Sequence, residues 1–140
     1  MDIKELDKII TQIIQRKLAL SKLTYNDKKY DIIEEELHDL EDEFIENYGD
    51  YFEEVLEKVH EKICPDTDVL LPTAYVAKQY LQTGKNPDGS LAFDVNYKEG
   101  VWVDSDKFPG KDTRLVFIPN PTRLVFSVEG KSKEVVWKAE

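Results

Sequence analysis

At 140 residues, with 41% hydrophobic and 11% aromatic content, the chain suits one domain with a modest buried core. No apolar run reaches the length of a membrane span, and Met1-Asp2 leads into a charged helix in place of a signal peptide, so a cytoplasmic location without membrane contact is expected. A net charge of −10 and a pI near 4.7 argue against a nucleic-acid partner and favour a basic protein, although acidity also serves solubility alone.

Asp2 with Glu5 has the form of a capping box, and Ile3, Leu6, Ile10, Ile13 and Leu20 follow on one helical face. Ile9, Ile14 and Leu18 widen that stripe, which suits either a second helix plus a sheet or a second copy of the chain in a homodimer. Thr24, Asn26 and Asp27 predict a turn over residues 23–28, and so short a link makes the first two helices an antiparallel hairpin.

The second helix is the dominant element. Tyr30, Ile33, Leu37, Leu40, Phe44, Tyr48, Tyr51, Val55, Val59 and Ile63 recur at three- and four-residue steps on one face. Between them stand fourteen carboxylates opposed by Lys58 and Lys62, a local charge of −12 for residues 30–63. Gly49, followed by the cap-like Asp50 and Glu53, marks a place to bend; the phase of Tyr48, Tyr51 and Val55 across it predicts one continuous or bent helix. Pro65 ends it, and residues 65–68 form a polar linker.

From Val69 the pattern is that of strands and turns. Residues 75–81 read as a strand, with a short helix opening at Pro72-Thr73 as the alternative. Asn86-Pro87-Asp88-Gly89 predicts a turn into a strand over Leu91–Tyr97, and Tyr97-Lys98-Glu99-Gly100 a second turn into Val101–Val103. After a polar loop from Asp104 to Asp112, Thr113-Arg114-Leu115-Val116-Phe117 repeats as Thr122-Arg123-Leu124-Val125-Phe126. A hairpin pairing Phe117 with Leu124 and Leu115 with Phe126 gathers four large apolar side chains on one face and sets Val116 opposite Val125 on the other. A turn at Gly130-Lys131-Ser132-Lys133 leads to a last strand, Glu134–Lys138, carrying Trp137. The expected fold is α+β: a helical hairpin over 1–64 packed on an antiparallel meander of five or six strands over 69–140, open or curled towards a small barrel.

Candidate chemistry is sparse. Glu35-Glu36-Leu37-His38 and Glu57-Lys58-Val59-His60 match the Glu-x-x-His spacing of di-iron bundles, but 22 residues along one helix separate the copies by about 33 Å. A solvated acidic face with two surface histidines explains both. Cys64 stands at a helix C-terminus, where the dipole opposes a thiolate, so a half-buried packing thiol is expected in place of a nucleophile with His60 as its base. Asp104, Asp106, Gly110 and Asp112 suggest a calcium loop, but Phe108 and Pro109 fall where that motif needs an oxygen ligand and a glycine. No catalytic residue, cofactor or resident metal is therefore assigned.

Two surfaces remain. Glu35, Asp39, Asp42, Glu46 and Glu53 form the expected contact face for a basic protein partner, which makes the chain a non-catalytic interaction module and, in its sharpest form, an inhibitor. Trp102, Phe108, Arg114 and Arg123 form a second, aromatic and basic candidate surface, against which stands the expectation that Trp102 and Trp137 are core residues. The alternatives are a ligand-binding or hydrolytic domain with a pocket between helices and sheet, recognisable by perturbed carboxylates, and a structural homodimer.

Overall fold

The computed structural model describes residues 1–129 and 133–140, so all but Lys133 of the expected turn at 130–133 lies outside the described residues. Two helices, α1 (Ile3–Ser21) and α2 (Lys28–Ile63), precede a short 3-10 helix (Pro72–Tyr75) and six strands: β1 (Leu81–Lys85), β2 (Leu91–Asp94), β3 (Val101–Trp102), β4 (Thr113–Ile118), β5 (Arg123–Val128) and β6 (Glu134–Lys138). The class is α+β, as expected, with no closed barrel among the described residues.

Both helices start where the capping chemistry puts them. The Asp2 carboxylate accepts the backbone N–H groups of Lys4 and Glu5, and that of Asp27 accepts the N–H of Lys29. α2 runs unbroken through Gly49 for 36 residues. At about 1.5 Å per residue it is roughly twice as long as α1, so the hairpin partner covers only its first half. Tyr48 marks the boundary: its phenol is pushed up by burial and then by Glu5 and Asp2 at the start of α1.

The apolar stripe of α2 divides at that boundary. Leu37 and Phe44 are buried on the α1 side. Farther along, Phe52, Leu56 and His60, roughly 100° round the helix from the predicted stripe, are buried as well; Phe52 meets the sheet, and His60 meets Thr67 and Tyr75. The Phe52 ring lies 5.0 Å from that of Phe117 and 5.3 Å from that of Trp137. Burying two such aromatic side chains stabilises the helix–sheet contact by about 1.5–3 kcal/mol each, more than the exposed Arg16–Glu36 ion pair between the helices can supply.

The strands form two sheets, not one meander. β3-β4-β5-β6 make the larger, while β1 and β2 pair only with each other. The predicted hairpin register holds, with Phe117 opposite Leu124, Leu115 opposite Phe126 and Val116 opposite Val125. Its two apolar faces explain the division: one packs under α2, and the other, with Val125 and Ile118, lies beside Ala92 and Phe93 of the β1–β2 ribbon. Tyr80 joins the ribbon to the sheet, donating its hydroxyl to the Phe117 carbonyl.

The strand predicted over 75–81 is a correction. Pro72 opens the 3-10 turn; Tyr75 and Tyr80 are held inward by their hydroxyls, Val76 makes a single parallel bridge to Phe117, and a continuous ladder begins only at Leu81. β2 ends at Asp94, whose carboxylate takes the Val95 N–H, and the following turn is Asn96–Glu99, one residue earlier than predicted. Of the residues that widen the α1 stripe, Ile9 and Ile14 are buried and Leu18 is partly buried; beside them Asp7 accepts the N–H and hydroxyl of Thr122, and Lys17 donates to the carbonyl of Ala77.

Candidate functional site

Glu35, Asp39, Asp42, Glu46 and Glu53 are all exposed on one continuous helix. At 100° per residue they fall within about 60° of one another. Among the described residues none of the five has an ion pair or a side-chain hydrogen bond. The carboxylate row therefore faces solvent without internal cations to neutralise it.

The segment after α2 lies along this row. Asp42 and Glu46 share one hollow, of about 460 Å³, with Leu71 and Thr73; Glu53 shares a second, of about 620 Å³, with Val69, Leu70 and Leu71. Ile45 and Leu71 belong to both, so the two form one groove. Leu70 and Leu71 are 47% and 69% exposed, so two adjacent leucines leave apolar surface open in the groove. Glu35 and Asp39 lie beyond the groove, towards the start of α2.

A buried hydrogen-bonded set holds the leucines there. The Thr67 carbonyl can only accept, so His60 Nδ1 donates to it across 2.9 Å. The Leu70 N–H donates to the Tyr75 hydroxyl at 3.1 Å, which frees the Tyr75 proton for His60 Nε2 at 2.8 Å. His60 is thus a buried residue and a correction to the two surface histidines expected; His38 is exposed. Burial pushes the Tyr75 phenol up, keeping it a donor.

The second candidate surface is dispersed. Trp102 stands opposite Arg114 in the β3–β4 pair and is 53% exposed, so it is not the core residue expected, whereas Trp137 is half-buried against Phe52. Arg114 grips Asp112 through two hydrogen bonds, 2.7 and 3.1 Å long, which hold the Asp112 carboxyl below its ordinary range. Phe108 packs on Phe126 on the helix side of the sheet. Arg123 donates to the carbonyls of Pro119 and Pro121 beside the ribbon, and burial lowers it.

Cys64 is fully buried, not half-buried, and burial pushes its thiol up to about 11, which leaves no thiolate for chemistry near neutrality. Both His60 nitrogens are engaged, and among the described residues no three His, Cys, Asp or Glu side chains are grouped to hold a metal ion. A cleft does lie between α2 and β6, but the displaced carboxylates, Asp88, Asp94 and Asp112, do not line it. Among the described residues no helix is long and apolar enough to cross a membrane. No family model, curated protein or solved structure matches the chain.

Proposed function

We propose that the chain is a non-catalytic interaction module whose acidic α2 groove receives a basic amphipathic segment of a cytoplasmic partner protein. The observation that carries this reading is the contiguity of unpaired Asp42, Glu46 and Glu53 with exposed Leu70 and Leu71 in one groove. The leucines supply the affinity, since burying each contributes about 1.5–3 kcal/mol, whereas an exposed ion pair contributes about 0–1 kcal/mol. The carboxylates select the sign of the partner and speed its approach. An inhibitor of a basic protein is one form of such a module. A homodimer through the helices is the alternative; Ile9 and Ile14, two of the three residues that widen the α1 stripe, are buried within the chain, which favours the groove reading over it.

The test is capture from the source lysate at low salt by three tagged proteins: wild type, D42K/E46K, and E43K/E61K, whose reversals lie off the groove. A salt-sensitive basic protein retained by wild type and E43K/E61K but lost by D42K/E46K supports the reading. Retention by all three, or by none, contradicts it.

A further inference from the structure

The side of α2 that faces α1 continues past the start of α1, and there the second half of the predicted stripe is left without a helix to cover it. Tyr51, Val55, Val59 and Ile63 line one wall of a cleft of about 750 Å³. Phe126, Trp137 and Val136 of the sheet line the other, with Phe108 at the loop. At 100° per residue this wall lies on nearly the opposite side of α2 from the acidic groove, so the two sites are separate.

The charge of the cleft is opposite to that of the helix that builds it. Lys58 and Lys62, the two bases among the fourteen acids of residues 30–63, both line it, and Lys107 meets them from the loop. Three ammonium groups face two carboxylates, Glu54 and Glu134, on a chain whose net charge is −10. Among the described residues none of the three lysines has an ion pair or a hydrogen bond to another group. The helix dipole accounts for Lys62 in the last turn of α2, but not for Lys58 a turn earlier or for Lys107 on another element.

From this coincidence of apolar walls and unpaired cations we infer that the cleft binds a small amphipathic carboxylate, an aliphatic or aryl acid. Its body lies between Val55, Val59, Phe126 and Trp137, and its head group lies at Lys58, Lys62 and Lys107. The volume falls within the roughly 300–1,000 Å³ of small-molecule sites. A free carboxylate needs a cation that is not already satisfied, and the three lysines provide one without breaking an existing pair.

Trp137 reports the cleft directly once the other tryptophan, the exposed Trp102, is changed in a W102F background. Dodecanoate and dodecyltrimethylammonium are titrated below their micelle concentrations while Trp137 emission is followed, with folding of each variant checked by circular dichroism. Dodecanoate should give a saturable one-to-one change, K58E/K62E should weaken it by about tenfold or more, K107E should weaken it in the same direction, and the cation should bind at least about tenfold more weakly. No saturable change, equal binding of the cationic analogue, or undiminished dodecanoate binding by folded K58E/K62E would each overturn the assignment.

Discussion

His60 Nε2 lies 2.8 Å from the Tyr75 hydroxyl, and this buried hydrogen bond ties the end of α2 to the segment that presents Leu70 and Leu71. Tyr75→Phe keeps the ring but leaves His60 Nε2 and the Leu70 N–H without a partner. A stability loss of about 1–3 kcal/mol is expected, measured by chemical denaturation, together with weaker partner binding at the groove. A change below about 0.5 kcal/mol would mean that the network holds nothing in place.

Gly100 has φ +99°, and a Cβ there would meet the Leu115 carbonyl oxygen at 2.4 Å and the Val116 Cβ at 2.8 Å. Gly89, at φ +89°, has nothing within 4 Å of that position. Gly100→Ala should therefore cost about 2–4 kcal/mol, adding collision with the β4 backbone to backbone strain, while Gly89→Ala should cost only the strain, about 1–2 kcal/mol. Thermal denaturation of both variants separates the two contributions.

Asp112 is held below its ordinary range first by its hydrogen bonds with Arg114, with burial opposing them. A depressed carboxyl stabilises the fold fully above its unfolded-state value of about 3.9, and that contribution disappears as the pH falls through the lower folded-state value. Because the pair is near the surface, Asp112→Asn should lower stability by only about 0.5–1 kcal/mol above pH 5. The gap between the wild-type and variant curves should close on further acidification; a gap that widens would contradict the assignment.

Cys64 should resist thiol reagents in the native state, because its thiol is buried and pushed up to about 11. Labelling with a small disulfide reagent at pH 8 should be slow and should accelerate when denaturant unfolds the chain. Rapid labelling without denaturant would show that the end of α2 opens.

The helices and the β4–β5 register were legible because each rests on local rules: side-chain caps at Asp2 and Asp27, periodicity along α2, and a cross-strand repeat centred on Val116 and Val125. The inward turn of Phe52, Leu56 and His60 was not, since it depends on where α1 begins beside a longer helix. The same holds for Tyr75, whose aromatic character suggests a strand until the His60 partner, 15 residues away, is known. Of the acidic face, the sequence supplied the charges but not Leu70 and Leu71, which look like an ordinary apolar pair until the fold sets them beside Glu53. Trp102 escaped for a related reason: β3 is an edge strand and one of its faces is left open.

The most direct measurement is the dissociation constant of a fluorescently labelled Leu/Lys amphipathic peptide, by anisotropy, for wild type and three variants. D42K/E46K and L70S/L71S should each weaken binding by about tenfold or more, while E43K/E61K, with the same change in net charge, should stay within about twofold. Equal weakening by E43K/E61K and D42K/E46K, or no effect of L70S/L71S, would show diffuse charge attraction and contradict a docking groove on α2.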